Sequence, residues 1–260
     1  MKTQQTQAAT RTETLYKRPS CMLEARTHYC AGCGHGVVHR LVAEIIDELD
    51  IREKAIGIAP VGCAVLAYDY INIDWSEAAH GRPPAVATGL KRVHPDKIVF
   101  SYQGDGDLAS IGMAETVHAA NRGENFTIIF INNAVYGMTQ GQMAPTTLVG
   151  QKTTTTPRGR DPQNEGHPIN MCDLLKSLKG VSFLARGTVV SPSRVRKTKR
   201  LLKKAFRYQI ENKGFSMVEI LSPCPTYWRM SPGEASRFIE EHMCEIFPLG
   251  VFKDVPQHGS

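Results

Sequence analysis

No stretch of this 260-residue chain approaches the ~20 consecutive apolar residues of a membrane-spanning helix; its longest β-like apolar run is Ile128-Ile129-Phe130-Ile131. The opening Met1-Lys2-Thr3-Gln4-Gln5-Thr6-Gln7 lacks the apolar core of a secretory leader, which points to a cytoplasmic protein. An even set of cysteines is missing too. Seven cannot form a fully paired disulfide scaffold, and in a reducing compartment cysteines ligate metals, do chemistry or fill core space. Acid is missing where base is densest: residues 194–207, RVRKTKRLLKKAFR, hold eight Lys or Arg and no Asp or Glu. The formal charge is +6, and without that segment the remainder is slightly acidic, so general nucleic-acid binding is not implied. What is present is ordinary for a soluble globular chain, 42% hydrophobic and 22% charged. At this length folding hides roughly 70–75% of the unfolded surface, enough for a core without covalent staples.

Hydrophobic spacing predicts a helix over 35–49, where Val37, Val38, Leu41, Ile45, Ile46 and Leu49 recur with helical period. A short buried strand follows over 55–59, then a helix from Pro84 to Arg92 with proline in its tolerated first turn. A strand over 98–102, a helix over 109–122 and a strand over 126–131 make a βαβ unit, the signature of a parallel sheet. Further strands are expected over 181–185 and 215–221, separated by the basic helix, and a last helix over 232–243. Residues 139–170, rich in Gly, Thr, Pro and Gln, read as a long irregular loop of functional or partner-covered type. The expected organisation is an α/β fold, an open mostly parallel sheet with helices on both faces. Residues 1–27 form an N-terminal arm packed on a partner, 28–228 the main domain, and 229–260 a C-terminal helix and tail.

Gly104-Asp105-Gly106 leaves one strand of the βαβ unit and Asn132-Asn133 leaves the next, 28 positions from Asp105 to Asn133. Both lie where open α/β sheets bind ligands, at the carboxyl ends of neighbouring strands. The glycines admit a close backbone approach, the following helix amides favour an anion, and Asp105 and Asn133 offer hard oxygens to Mg²⁺. Either motif alone is an ordinary turn; together they resemble the thiamine-diphosphate signature. By that resemblance Asp105, Asn133 and the Val135 carbonyl hold the metal, and Gly104, Gly106, Asp107, Gly137, Met138 and Thr139 touch the cofactor. Gln140 stands where the resembled loop usually has glycine.

Cys30-Ala31-Gly32-Cys33 is a close pair before a helix, and Cys63 and Cys224 stand at strand ends. Spacing alone leaves zinc, a redox dithiol and plain packing all open. The wider run of motifs is more specific: Tyr29-Cys30-Ala31-Gly32-Cys33-Gly34-His35-Gly36, His80-Gly81-Arg82, Ala87-Thr88-Gly89, Gly104-Asp105-Gly106-Asp107 and Leu221-Ser222-Pro223-Cys224. Over about residues 28–228 the chain resembles the β subunits of 2-oxoacid:ferredoxin oxidoreductases. That resemblance implies one [4Fe–4S] cluster on Cys30, Cys33, Cys63 and Cys224, and cofactor contact by His80, Gly81 and Arg82, with His80 the catalytic candidate. His35 could hydrogen-bond near the cluster. Cys21, Cys172 and Cys244 match no motif, and the other histidines read as surface or core groups.

The implied reaction is CoA-dependent oxidative decarboxylation of a 2-oxoacid, with electrons leaving through the cluster to ferredoxin. The glutamate that activates the cofactor's aminopyrimidine is expected on an α subunit, since no length remains here for a second domain, so the chain is expected to work only with that partner. The short single-cluster pattern leans toward 2-oxoglutarate or branched-chain 2-oxoacids. In 194–207 the amphipathic pattern reads as a solvated helix on the sheet; Arg196, Lys199 and Lys203 are candidates for docking an acidic electron carrier. The competing readings are a non-redox thiamine-diphosphate enzyme subunit with structural cysteines, and a basic zinc protein that binds nucleic acid.

Overall fold

The structure, a computed structural model, describes residues 16–255. Of the expected arm, residues 1–15 lie outside the described residues. The part that is described does not reach away from the domain: Cys21 is fully buried, Met22 bridges Ile71, and Ser20 bonds Asp47 at 2.9 Å.

The chain runs α1 (His35–Glu48), β1 (Ala55–Ala59), β2 (Asp74–Glu77), α2 (Pro83–Val93), β3 (Ile98–Gly104), α3 (Met113–Arg122) and β4 (Thr127–Asn132). It continues with β5 (Val135–Tyr136), β6 (Gln142–Met143), α4 (Pro162–Glu165), α5 (Met171–Leu175), β7 (Val181–Thr188), α6 (Pro192–Ile210) and β8 (Phe215–Leu221). Last come α7 (Pro225–Trp228), α8 (Pro232–Phe238), α9 (Cys244–Ile246) and β9 (Gly250–Asp254). Seven strands form one sheet in the order β2-β1-β3-β4-β8-β7-β9, parallel throughout except for β9 on β7.

Alternate residues of the central strands feed two cores, as the period of two requires. Phe100, Tyr102, Ile129, Ile131, Val218 and Ile220 face α1 and α6. Val99, Ile128, Phe130 and Met217 face the other way, against Ala87 of α2, Ala119 and Ala120 of α3, and Leu175 of α5. Helices therefore cover both faces, which is why the inner strands read as unbroken apolar runs. The two strands of this sheet that the periodicity missed are its edges, Asp-Trp-Ser-Glu and Gly-Val-Phe-Lys-Asp, short and half exposed.

The C-terminal segment builds a third core beside the sheet's carboxyl end, where Trp228, Ala235, Ile239, Met243 and Phe247 meet Ala134, Val135 and Leu221. The expected helix over 232–243 is there but changes gait: α8, opened by a Ser231/Glu234 capping box, passes into a π-type turn over Ile239–Met243. In the loop after β5, Gln140 takes φ +82° and Gly141 φ +86°. Gln140 thus keeps the left-handed backbone that glycine adopts more cheaply, with a strain of about 1–2 kcal/mol.

Candidate functional site

The order of strands leaves a crevice. After β1 the chain turns outward to β2, then returns to the other side of β1 as β3, so neighbouring carboxyl ends diverge there. A cavity of about 500 Å³ opens at this end, lined by the turn after β1 (Val61 to Ala64), the Gly-Asp-Gly turn after β3, and Asn133 and Val135 after β4.

Register places Gly104 beside Ile131, so Asp105 and the Asn-Asn pair leave the sheet together. Asp105 is 2% exposed and accepts from the Gly106 amide (2.9 Å), the Asn133 amide (3.2 Å) and the Thr146 hydroxyl (2.8 Å). Burial pushes its carboxyl up to about 7 despite those three donors. The Asn133 amide oxygen faces two more acceptors, the Val135 carbonyl at 2.7 Å and Asp105 Oδ2 at 3.3 Å. Turning the amide over satisfies both contacts, its nitrogen then donating to the Val135 carbonyl and to Asp105 Oδ2. The donor set, one carboxylate, one amide and one backbone carbonyl, suits a hard ion such as Mg²⁺.

Asp107, two residues on, is also buried and receives the Gly81 amide (2.9 Å) and the Gln103 amide (2.6 Å). Burial pushes it up, opposed by those bonds and by His80. His80 Nδ1 lies 2.9 Å from Asp107 Oδ1 and 3.2 Å from the Val61 carbonyl. Both neighbours are acceptors, so Nδ1 carries the proton and Nε2 remains for the cavity. Of the other expected cofactor contacts, Gly104, Gly106, Gly137, Met138 and Thr139 line the cavity. Gly81 and Arg82 stand outside the lining: Gly81 packs on Ile111 and Gly112, and Arg82 pairs with Glu115 at 2.5 Å. The Tyr136 ring lies where a Cβ on Gly106 would be, 2.2 Å away, so that glycine is needed for the close approach.

Cys30, Cys33, Cys63 and Cys224 border a second, smaller cavity, and all four are free thiols. A Cβ on Gly137 would sit 3.1 Å from Cys63 Sγ and 3.8 Å from Cys224 Sγ, so the β5 loop closes over both. Burial, then mutual repulsion, raises Cys33, and pushes Cys63 up to about 12; Cys224 also rises to about 12 through burial. Among the described residues no group of three or more His, Cys, Asp or Glu closes tightly enough to hold a single metal ion. His35, Cys63 and Asn133 line both cavities, which therefore share a wall.

Comparison with known proteins resolves the family. Residues 60–220 match the profile of the thiamine pyrophosphate enzyme C-terminal TPP binding domain. The chain is 51% identical to the ketoisovalerate oxidoreductase subunit VorA of Methanothermobacter thermautotrophicus, over 92% of this chain and 50% of that protein. It is 37% identical to the 2-oxoglutarate synthase subunit KorB of Methanocaldococcus jannaschii, over 84% of this chain and 78% of that one. The chain belongs to the family of thiamine-diphosphate-binding 2-oxoacid:ferredoxin oxidoreductase subunits. A solved 2-oxoglutarate:ferredoxin oxidoreductase from Magnetococcus marinus, with 2-oxoglutarate, coenzyme A and succinyl-CoA bound, superposes with a TM-score of 0.76. It is 27% identical and covers 94% of this chain and 86% of its own. The chain spans about half the length of the VorA relatives it matches.

Within this family member, several contacts around the site escaped the sequence reading. A cluster of histidines and tyrosines backs the thiols: His35 Nδ1 meets the Tyr102 hydroxyl at 2.9 Å, Tyr29 meets His39 Nε2 at 3.1 Å, and His28 bridges Tyr70 (2.6 Å) and the Cys63 carbonyl (2.8 Å). Burial, reinforced by neighbouring histidines, presses His35 down to about 4 and His39 to about 3. Behind the Asn-Asn turn, Asn132 donates to Glu219 at 2.7 Å, and Glu219 pairs with Arg186 at 2.8 Å, both side chains fully buried. Arg186 also bonds Asn170 and the Pro248 carbonyl, and Cys172 donates to Glu219 at 3.2 Å. On α6 the charges are less free than the sequence implies. Lys199 bonds Glu44 and Glu48, and Lys203 bonds Glu48, each at 2.6 Å, clasping α6 to α1. Among the described residues, Arg196, Lys197, Arg200 and Arg207 are the exposed cations of 194–207 without an acidic partner, so Lys199 and Lys203 are clasp residues rather than a docking face.

Two outcomes follow from this geometry. Removing one member of the buried pair, Glu219→Gln or Arg186→Met, should lower unfolding free energy by about 3–5 kcal/mol, whereas removing both together should cost clearly less than the two losses added. Denaturant titration of the four proteins reads this, and additive losses would contradict the pairing. His39 stays neutral when folded but takes a proton near pH 6.5 when unfolded, so its contribution is complete above that pH and shrinks as pH falls toward 3. Stability should therefore drop by roughly 1.4 kcal/mol per pH unit from this group alone below about pH 6.5. Denaturation midpoints of His39→Phe should fall less steeply over that window, and an unaltered slope would show that His39 is not the source.

Proposed function

We propose that this chain is the diphosphate- and cluster-binding part of a 2-oxoacid:ferredoxin oxidoreductase that decarboxylates a 2-oxoacid oxidatively onto coenzyme A. The observation that carries the reading is the shared wall: an oxygen-lined seat for a metal–diphosphate and a ring of four thiols meet across His35, Cys63 and Asn133. Electrons released at one cavity then have a short path to a redox centre in the other.

Asp105, Asn133 and the Val135 carbonyl would hold Mg²⁺, which joins the diphosphate to the sheet end. Cys30, Cys33, Cys63 and Cys224 would hold a [4Fe–4S] cluster, a centre whose thiolates stand farther apart than those round one ion. Thiamine diphosphate supplies the carbanion chemistry at the keto carbon. The chain's own residues do the rest. Asp107 orients His80, whose Nε2 holds or moves a proton at the cavity mouth. Val61, Tyr136 and Met138 shield that mouth from water. The raised thiols of Cys63 and Cys224 ionise readily only when a cationic centre offsets their burial, so cluster loading carries proton release with it.

The activating glutamate would come from an α subunit, and exposed Val61, Tyr68, Ile111 and Met138 give that subunit an apolar surface to cover. Oxidised ferredoxin would dock through Arg196, Lys197, Arg200 and Arg207. Among the described residues no lysine or arginine lines the larger cavity, so no cationic side chain of these would meet a distal carboxylate there. Together with the 51% identity to a ketoisovalerate oxidoreductase subunit, this favours a branched-chain 2-oxoacid over 2-oxoglutarate.

Anaerobic co-purification with the partner chain, followed by CoA-dependent viologen reduction, tests the reading. The complex should contain about four irons per chain in this subunit, and prefer ketoisovalerate to 2-oxoglutarate in kcat/KM. Iron-free complex, or no 2-oxoacid-dependent reduction, would defeat it. In the active complex His80→Gln should lower kcat by about 100-fold while iron content stays unchanged; a rate close to the parent's would remove His80 from proton handling.

A further inference from the structure

The loop over 144–169 contains a buried cation held by backbone carbonyls. Arg160 is 5% exposed and, among the described residues, forms no ion pair. Its five N–H groups all go to backbone carbonyls instead. Nε donates to Gly166 (2.8 Å), one terminal nitrogen to Pro145 (2.9 Å) and Thr147 (2.6 Å), the other to Glu165 (3.1 Å) and His167 (2.8 Å). A planar five-donor fork is the one side chain that can do this, and lysine cannot replace it. Backbone bonds lock the arginine in turn: its amide donates to Gln151 at 3.1 Å and its carbonyl accepts from Gly150 at 2.9 Å.

Pro145 and Thr147 flank Thr146, whose hydroxyl is the side-chain donor on Asp105 Oδ2, at 2.8 Å. Thr147 adds a bond to the Ala134 carbonyl at 2.6 Å, beyond the Asn-Asn turn, and receives the Ala144 amide at 2.9 Å. The loop therefore reaches the cation seat through two consecutive threonines, and Arg160 holds the carbonyl on each side of the first.

We propose that Arg160 is a positioning residue for the cation–diphosphate seat, acting through Thr146 to set the direction of the Asp105 carboxylate. This rests on the reading of Asp105 and Asn133 as the Mg²⁺ ligands. With the guanidinium in place, one carboxylate oxygen is committed to Thr146 before any ion arrives, and no ordering of the loop is left to be done on binding. Without it, Pro145 and Thr147 lose their shared anchor and the carboxylate can rotate.

Calorimetric titration of Mg²⁺ and thiamine diphosphate into the EDTA-treated complex tests this, with iron content measured on the same samples. Arg160→Lys and Thr146→Val should each weaken Mg²⁺-dependent binding about 10-fold or more. Thr146→Ser, which keeps the hydroxyl, should bind as the parent does, and so should Arg158→Lys, an exposed neighbour in the same loop. Kcat at saturating Mg²⁺ should fall much less than the affinity. Parent-like Mg²⁺ affinity in Thr146→Val overturns the proposal, and so does a loss in Arg160→Lys that Thr146→Val does not share, because the arginine would then serve only the fold. If the parent complex itself binds no thiamine diphosphate with Mg²⁺, the reading of the site fails first, and the two failures are told apart in the parent titration.

Discussion

Burying the Asp105 carboxylate at the end of a parallel sheet is the constraint around which the rest is arranged. A charge removed from water costs several kcal/mol unless other groups replace the lost hydration. Three donors do so in part, yet the carboxyl still rises to about 7, so the protein has left the compensation incomplete. The Asn133 side-chain amide lies beside it and, with its oxygen and nitrogen exchanged, donates to both Asp105 Oδ2 and the Val135 carbonyl. A buried carboxylate with an amide and a backbone carbonyl beside it depends on the surrounding elements being held in place.

That holding comes from two directions. From behind, β8 and β7 present Glu219 and Arg186, and Glu219 grips Asn132 while Asn132 Oδ1 receives the Ala134 amide at 3.2 Å. Ala134 has φ +57°, a conformation alanine avoids, and it persists because both its neighbours are bonded. From the C-terminal side Trp228 donates to the Asn133 carbonyl at 2.9 Å. From the front, the long loop brings Thr146 and Thr147. The backbone of the turn after β4 is thus overdetermined.

Much of this was legible in the sequence because it depends on local rules. Glycine beside an acid at a strand end, asparagine at the next strand end, and a close cysteine pair before a helix each follow from backbone sterics or ligand chemistry. The buried strands were equally plain, since both their faces are covered and their residues need no alternation. What stayed hidden depends on contacts between distant segments. Glu219 sits in Val-Glu-Ile, a lone acid in an apolar strand, and its partner Arg186 lies 33 positions away in another. Thr146 and Arg160 lay in a segment recognisable only as irregular, because carbonyls that converge on a guanidinium leave no pattern of side-chain types. The α6 cations looked available for a partner because their acids, Glu44 and Glu48, are on α1, about 150 residues earlier. Arg82, two residues from His80 in one motif, turned to Glu115 on α3, a contact that the local motif does not encode.

The placing of the thiols follows from the same topology rather than from a separate design. Cys63 lies after β1, Asn133 after β4 and Cys224 after β8, strands whose carboxyl ends all open on one side of the sheet. Any centre built on those ends must adjoin the seat at Asp105. Cys30 and Cys33 border the same small cavity because α1 starts beside it, with Gly34 pressed so close to Ser222 that an added Cβ would stand 2.2 Å from its hydroxyl. The burial that raises Cys33, Cys63 and Cys224 is then a consequence of proximity to the first cavity. Two unfavourable features, a buried carboxylate and buried thiols, therefore share one wall.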